Sequence, residues 1–326
     1  MKNIHLVIAV AGAIMLSAMP VETYAQLLAG TSGSGEGMVY AYQGGTNWTA
    51  ISPSLGGAVL DIIEFKGTLY AATMSYSLGG EVWRYDGGTS WAVVGDNMDN
   101  EVCALEIYNG QLYAGTAEEG GNLYRYNGTN FVYVGTVANF SGIRAMHSSS
   151  YGYLQLGEID SDMFGRYDGN NFYYDTNFAK SCIVNFAEYN NKLYAAGEEP
   201  ADLFGSTNGI NWSLVLSYNS AYALWGMEPF QGQLYLGYSD GKLAYIDSSE
   251  AWHSVLTVSD SIISMVAGGN TMLYFGTGAG AVGVATGSGP GYVYAYTGNG
   301  ATDATLISGP LGTGVQCLYY PPDPYS

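Results

Sequence analysis

A stretch that recurs seven times at intervals of 39 to 43 residues, and short segments rich in β-branched and aromatic residues separated by Gly and Asn, predict an all-β fold. The period and the strand content specify a seven-bladed β-propeller with four-stranded antiparallel blades. The reference copy is Gly110-Gln111-Leu112-Tyr113-Ala114-Gly115-Thr116. Its counterparts are Leu27-Leu28-Ala29-Gly30, Leu69-Tyr70-Ala71-Ala72, Leu154-Gln155-Leu156-Gly157, Leu193-Tyr194-Ala195-Ala196, Leu234-Tyr235-Leu236-Gly237 and Leu273-Tyr274-Phe275-Gly276. Leucine-rich repeats and β-helices have shorter periods, and helical repeats would carry apolar residues every three or four positions.

One unit shows how each blade is written. Val102 to Ile107 reads as the first strand, and Asn109-Gly110 as a two-residue hairpin turn, since both central residues of a type I′ turn need positive φ. Leu112 to Gly115 is the second strand, Glu118-Glu119-Gly120-Gly121 a loop, Leu123 to Tyr126 the third strand, and Phe131 to Val134 the fourth after an Asn127-Gly128 turn.

Met1-Lys2-Asn3, an apolar run from Ile4 to Met19, and small residues ending at Ala25 predict a signal peptide over 1–25, cleaved before Gln26. The run is short for a membrane span. Residues 26–326 are then expected to form one propeller domain, secreted or periplasmic, with no membrane insertion after cleavage. Residues 27–52 supply a second, third and fourth strand but no first. Val315-Gln316-Cys317-Leu318-Tyr319-Tyr320 resembles the first strand at Val102, so the C-terminal strand is expected to complete the N-terminal blade and close the ring. The other blades run over about 59–95, 102–135, 143–176, 183–217, 223–257 and 262–308. The last carries a Gly-rich surface loop, Gly276 to Gly291.

Lys and Arg total 9 against 28 Asp and Glu, a net charge of −19. Such a surface repels phosphate backbones and anionic membranes, so nucleic acid is excluded as a partner. The three cysteines, Cys103, Cys182 and Cys317, are an odd number, so at least one thiol stays free or pairs between chains. All three fall at or beside first strands, as small buried hydrophobes would.

The turns between third and fourth strands recur as Asp86-Gly87-Gly88-Thr89-Ser90-Trp91, Asn127-Gly128-Thr129-Asn130-Phe131, Asp168-Gly169-Asn170-Asn171-Phe172 and Ser206-Thr207-Asn208-Gly209-Ile210-Asn211-Trp212. These hairpins resemble, in degenerate form, the Asp box of secreted bacterial sialidase-like propellers, which joins the same two strands. Only Ser206 keeps the leading Ser, and Asn208 stands where that family prefers Asp. The resemblance implies a structural role for the box. It also raises the sialidase arginine triad. Arg84, Arg125 and Arg166 repeat in three consecutive blades, but they fall on third strands and are expected to be packing or surface residues.

The loops after the second strands are acidic: Glu36, Glu81, Glu118, Glu119, Glu158, Asp160, Asp162, Glu198, Glu199, Asp202 and Asp240. In a propeller these loops share one face with the connections between blades, including Asp96, Asp99 and Glu101. The expected ligand-binding residues are Glu118, Glu119, Glu158, Asp160, Asp162, Glu198, Glu199, Asp202 and Asp240. Asp160 and Asp162 are weak candidates for Ca²⁺ through hard oxygen ligands; without them no cofactor is expected. Trp48, Trp91, Phe131, Phe172, Trp212 and Trp252 share one register of the fourth strand and are read as packing between blades rather than sugar platforms. After the leader only His147 and His253 remain, and no nucleophile, zinc or nucleotide motif occurs, so no catalytic residue is assigned. The sequence therefore supports a non-enzymatic extracellular propeller that binds a protein partner or assembles with itself. The alternative is a lectin or glycan-active enzyme of sialidase-like type.

Overall fold

The computed structural model describes residues 26–33, 36–75, 79–117, 120–160, 163–175, 182–219, 221–278, 289–300 and 302–321. The proposed leader, residues 1–25, and most of the Gly-rich loop lie outside them. The described residues form twenty-eight strands in antiparallel four-stranded meanders. The unit parsed above consists of Glu101–Tyr108, Gln111–Ala117, Gly121–Tyr126 and Phe131–Val137, each pairing with the next in sequence. Asn109 and Gly110 have φ of 49° and 70°, the left-handed values of the expected turn. Lys66-Gly67, Asn190-Asn191 and Gln231-Gly232 take the same conformation at the equivalent hairpins.

The strand Leu28–Ser32 pairs on one side with Val39–Gly44 and on the other with Gly314–Tyr319, setting Leu28 opposite Tyr319 and Gly30 opposite Cys317. The first strands lie side by side in chain order, Ala58–Phe65 against Glu101–Tyr108, then Ile143–Ser148, Cys182–Tyr189, Leu224–Phe230 and Ser261–Gly268. Gly314–Tyr319 touches both Ser261–Gly268 and Ala58–Phe65.

The recurring sequence is explained by packing between blades. Its Leu is buried (Leu69, Leu112, Leu193, Leu234, Leu273). Its Tyr reaches a tyrosine on the third strand of the next blade: Tyr70 with Tyr126, Tyr113 with Tyr167 and Tyr235 with Tyr296, all edge to face. Its Gly receives an aliphatic side chain from the next first strand. A Cβ built on Gly115 would lie 2.6 Å from Ile143 Cγ2, and one on Gly237 2.5 Å from Ile262 Cγ2. Where the pattern changes, other chemistry makes the link. Gln155, in the Tyr position, donates to the Gly209 carbonyl of the next blade (3.1 Å) and to Ser149 Oγ (3.3 Å). The Tyr194 hydroxyl donates to Glu250, which also pairs with Lys192 at 2.6 Å.

The fourth-strand aromatics pack on the preceding blade, as the sequence predicts. Trp91 Nε1 donates to the Ile51 carbonyl (2.8 Å), Trp48 Nε1 to the Ile307 carbonyl (2.9 Å), and Trp212 stacks on Phe164 with centroids 4.4 Å apart. Trp252 stacks on Tyr218, and Phe131 is buried with Val94 and Met98. A Cβ built on Gly135 of the preceding blade would lie 2.7 Å from Phe172 Cε2. At the turns that precede these strands, the Asn127, Asp168 and Asn208 side chains each accept two backbone N–H groups. Among the described residues no helix is long and apolar enough to cross a membrane.

Candidate functional site

Single backbone bridges join the end of a second strand to the start of the next first strand: Ser32 with Ala58, Met74 with Glu101, Ala117 with Gly142, Glu198 with Ala223 and Gly278 with Gly314. They bring the loops after the second strands to the end of the first strands where the connections between blades arrive. The loops that the sequence makes acidic start at that end. Glu118, Glu119 and Asp162 lie outside the described residues.

The remaining acidic residues differ in what they do. Glu158 is fully buried, and its oxygens accept the Ser141 N–H (2.8 Å) and the Asp160 N–H (2.7 Å). It therefore fixes its own loop. Asp160 is exposed. Burial raises the pKa of Glu198, whose neighbours include Arg144 and Glu199. Glu199 accepts the Tyr222 hydroxyl and has a positive φ of 59°. Asp202 is buried with Oδ1 unpartnered, and burial raises its pKa too. Asp240 is exposed and caps the Lys242 N–H (3.1 Å) while accepting the Tyr218 hydroxyl (3.2 Å). Asp99 accepts Asn122 Nδ2 (2.9 Å) and the Thr116 hydroxyl. Among the described residues no three His, Cys, Asp or Glu side chains gather to hold a metal ion.

The arginines of the third strands do not meet. Arg84 pairs with Asp86 of its own hairpin (2.8 Å), Arg166 pairs with Asp175 (2.7 Å) over the Tyr173 ring, and Arg125 is exposed.

A second site, which sequence reasoning missed, lies between the first strands. Pairing with the neighbouring strand skips one residue in each first strand: Leu60, Cys103, Arg144, Val184, Trp225, Ile263 and Gln316. A bulge re-aims its extra side chain. All seven residues line one cavity of about 200 Å³. The residue before each bulge is aliphatic and buried: Val59, Val102, Ile143, Ile183, Leu224, Ile262 and Val315. The residue after it is small or stitches blades together. Asp61 Oδ2 accepts the Leu105 N–H (2.8 Å), Asn185 Nδ2 donates to the Trp225 carbonyl (3.0 Å), Ser264 Oγ donates to the Val315 carbonyl (2.9 Å), and the Cys317 thiol donates to the Val59 carbonyl (3.6 Å). The bulged position mixes a cation, an indole, an amide, a thiol and aliphatics. Comparing the first strands with one another, rather than the more regular second strands, is the sequence signal for it. The three cysteines are free; burial pushes the Cys103 thiol up to about 12 and raises those of Cys182 and Cys317.

No known protein family matches the sequence, and no curated protein is similar to it. Solved structures share its fold. A putative 6-phosphogluconolactonase from Bacteroides fragilis is 12% identical, with 92% of this chain and 99% of that one covered and a TM-score of 0.64. Virginiamycin B lyase from Staphylococcus aureus is 14% identical over 77% and 84%, with a TM-score of 0.62. Sqt1 from Saccharomyces cerevisiae is 11% identical over 89% and 84%, also at 0.62. These are β-propeller proteins, and the chain is an all-β protein of β-propeller fold. At such identities the likeness extends to the fold alone.

Proposed function

We propose that the mature chain is a secreted, non-enzymatic propeller of seven blades, closed by its C-terminal strand, that binds a partner protein or assembles with itself outside the cytoplasm. Closure is supported by the pairing of Gly314–Tyr319 with Leu28–Ser32 and by its contacts with the first strands on either side. Cleavage before Gln26 and delivery to the periplasm or the exterior rest on the pattern of residues 1–25. The Asx-capped hairpins are consistent with kinship to Asp-box propellers.

The observation that carries the binding reading is the contrast between repeating and non-repeating positions. The repeating Leu, Tyr, Gly and Trp positions are occupied in packing, which leaves the acidic loops and the outer rim to differ from blade to blade. On that rim Tyr133, Tyr173, Tyr174 and Leu214 are exposed on fourth strands, and Tyr222 is exposed on the acidic face. Exposed tyrosines of this kind serve protein contacts. They also support a second reading, glycan binding by ring stacking. Ca²⁺ at Asp160 and Asp162 remains part of the proposal for the acidic face.

Light scattering and electron microscopy on residues 26–326 across a concentration series test self-association, and crosslinking to the native cell surface tests a protein partner. A strict monomer that crosslinks to nothing, together with glycan-array binding or glycan cleavage, would overturn the first reading in favour of the second.

A further inference from the structure

At four seams between neighbouring blades, a side chain at the hairpin joining the first two strands crosses to the next blade and donates to a turn carbonyl there. The Tyr108 hydroxyl donates to the Gly152 carbonyl (2.9 Å), Tyr151 to Asn191 (2.9 Å), Tyr189 to Gly232 (2.8 Å), and Gln231 Nε2 to Asn270 (3.1 Å). The seam between the blade that starts at Ala58 and the one that starts at Glu101 lacks this bond. Phe65 stands where Tyr108 and Tyr189 stand and has no hydroxyl. Lys66, in the place of Gln231, lies over the Phe65 ring, 4.8 Å from its centroid. Among the described residues the Gly110 carbonyl accepts only Nε2 of its own neighbour Gln111 (3.2 Å). At this seam lies a cleft of about 490 Å³, lined by Lys66, Thr68, Arg84 and Asp86 from one blade and by Gln111 and Asn127 from the next. The turn at 127–130 separates it from a hollow of about 310 Å³ that Val93, Tyr124 and Phe131 help to line. Both volumes fall within the range of small-molecule sites, about 300–1,000 Å³.

We propose that this cleft binds a neutral sugar residue of a glycan, with the hollow taking the next residue of the same chain. The proposal rests on the glycan reading given above and gives it a place and a class of sugar. Arg84 Nε pairs with Asp86 Oδ1 at 2.8 Å, and that pair offers both donors and an acceptor. Lys66 Nζ adds a donor, and the Gln111 amide and the Thr68 hydroxyl add both kinds. Lys66 and Gln111 are exposed, so a ligand reaches them without unfolding the seam. A sugar hydroxyl donates and accepts at once and suits such a mixed set, whereas an anion would use the donors alone. One hydroxyl of the sugar would take the place at Gly110 that the protein's own tyrosine hydroxyls hold at other seams. The half-buried Tyr85 ring lines the same cleft and offers an apolar face to the sugar's C–H groups. Asp86 already neutralises Arg84, and the chain carries a net charge of −19, which disfavours an acidic ligand.

The test is saturation-transfer NMR and calorimetric titration of the folded mature protein. The probes are the methyl glycosides of glucose, galactose, mannose, fucose and N-acetylglucosamine, with lactose, cellobiose and chitobiose; glucuronate and a hexaglutamate peptide serve as comparisons. At least one neutral disaccharide should bind with a dissociation constant of about 1 mM or below, more tightly than its single sugars. Phe65→Tyr supplies the hydroxyl present at Tyr108 and Tyr189. It should reach the Gly110 carbonyl, close the cleft and weaken binding by about tenfold or more, with the thermal melt unchanged or raised. Gln111→Ala should weaken binding by about threefold to tenfold. If Phe65→Tyr does not fold, Gln111→Ala and Lys66→Gly, which suits the positive φ of 53° at that turn, decide the matter. No binding of any neutral sugar overturns both this proposal and the glycan reading. Sugar binding that the cleft variants leave unchanged but Tyr173→Ala on the rim abolishes overturns the proposal and leaves the glycan reading standing. A preference for glucuronate or hexaglutamate overturns it as well, since charge would then be what the cleft recognises.

Discussion

Tyr70 of one blade meets Tyr126 of the next edge to face, with ring centroids 5.4 Å apart and planes inclined at 64°. Tyr113 and Tyr167 repeat the contact at 6.1 Å and 62°. The most conspicuous residue of the repeat is thus the seam between neighbours. Tyr113→Ala should destabilise the protein by about 3–5 kcal/mol in urea unfolding, the cost of an emptied aromatic site. Its effect on partner binding by the intact fold should be nil. A loss below about 1 kcal/mol would mean that the ring is not a packing element.

Gln155 makes the same seam with hydrogen bonds instead of a ring. Gln155→Leu keeps an apolar volume but leaves the Gly209 carbonyl without its donor. A cost of about 1–3 kcal/mol is expected, with the fold retained by circular dichroism. Unchanged stability would show that the bond makes no net contribution there.

These two residues also mark how far the sequence could be read. Leu112-Tyr113-Ala114-Gly115 announced the blades because each of its positions meets the neighbouring blade in one fixed way, and identical contacts require similar residues. Asn109-Gly110 was readable because its turn restricts φ. Arg144 and Trp225 were not, because a bulge has no residue signature of its own and the bulged position has no common neighbour to constrain it. Glu158 looked like a ligand residue because composition records charge but not what the charge accepts. Its two backbone N–H donors become visible only in three dimensions.

Three carboxylates at the blade interfaces predict how stability varies with pH. Desolvation raises Asp61 from 3.8 to about 6, and Glu106 and Glu228 from 4.5 to about 7. A raised pKa means that the folded chain holds the proton more tightly than the unfolded one. Between about pH 4.5 and 7 the folded state therefore binds more protons, and stability falls as pH rises through that window. Asp168, lowered to about 2 by backbone N–H donors, acts in the opposite sense: its contribution is present above 3.8 and lost as pH falls. The melting temperature should peak near pH 4–5 and decline toward pH 8. Glu228→Gln keeps an acceptor for the Ala267 N–H and cannot ionise, so it should gain roughly 1–3 kcal/mol at pH 8 and almost nothing at pH 4. A gain equal at both values would assign the effect to packing.

The thiols should be inert in the folded protein. Cys103 and Cys317 are buried and Cys182 is half-buried, with their pKa values raised by desolvation. Because the thiolate is the reacting species, alkylation at pH 8 should be far slower than for a free thiol, with Cys182 modified first and all three reacting after denaturation. Rapid modification of Cys103 in the folded state would contradict its burial.

The C-terminal strand is tied to three other strands by side-chain hydrogen bonds. Gln316 Nε2 donates to Ser32 Oγ (3.0 Å), the Tyr319 hydroxyl donates to Glu64 (2.9 Å), and the Val315 carbonyl receives Ser264 Oγ (2.9 Å). Removing residues 314–326 would uncover the edge of Leu28–Ser32 and strip one wall from each of two neighbouring blades. An open strand edge beside an exposed core favours aggregation over folding. The truncated chain should therefore lose its cooperative melt and associate. A synthetic peptide of residues 314–321, supplied in trans, should restore both the melt and the monodisperse species. If the truncated chain melts like the full one, the strand is an ornament on an already closed fold, and the seam between the two ends of the chain carries no stability.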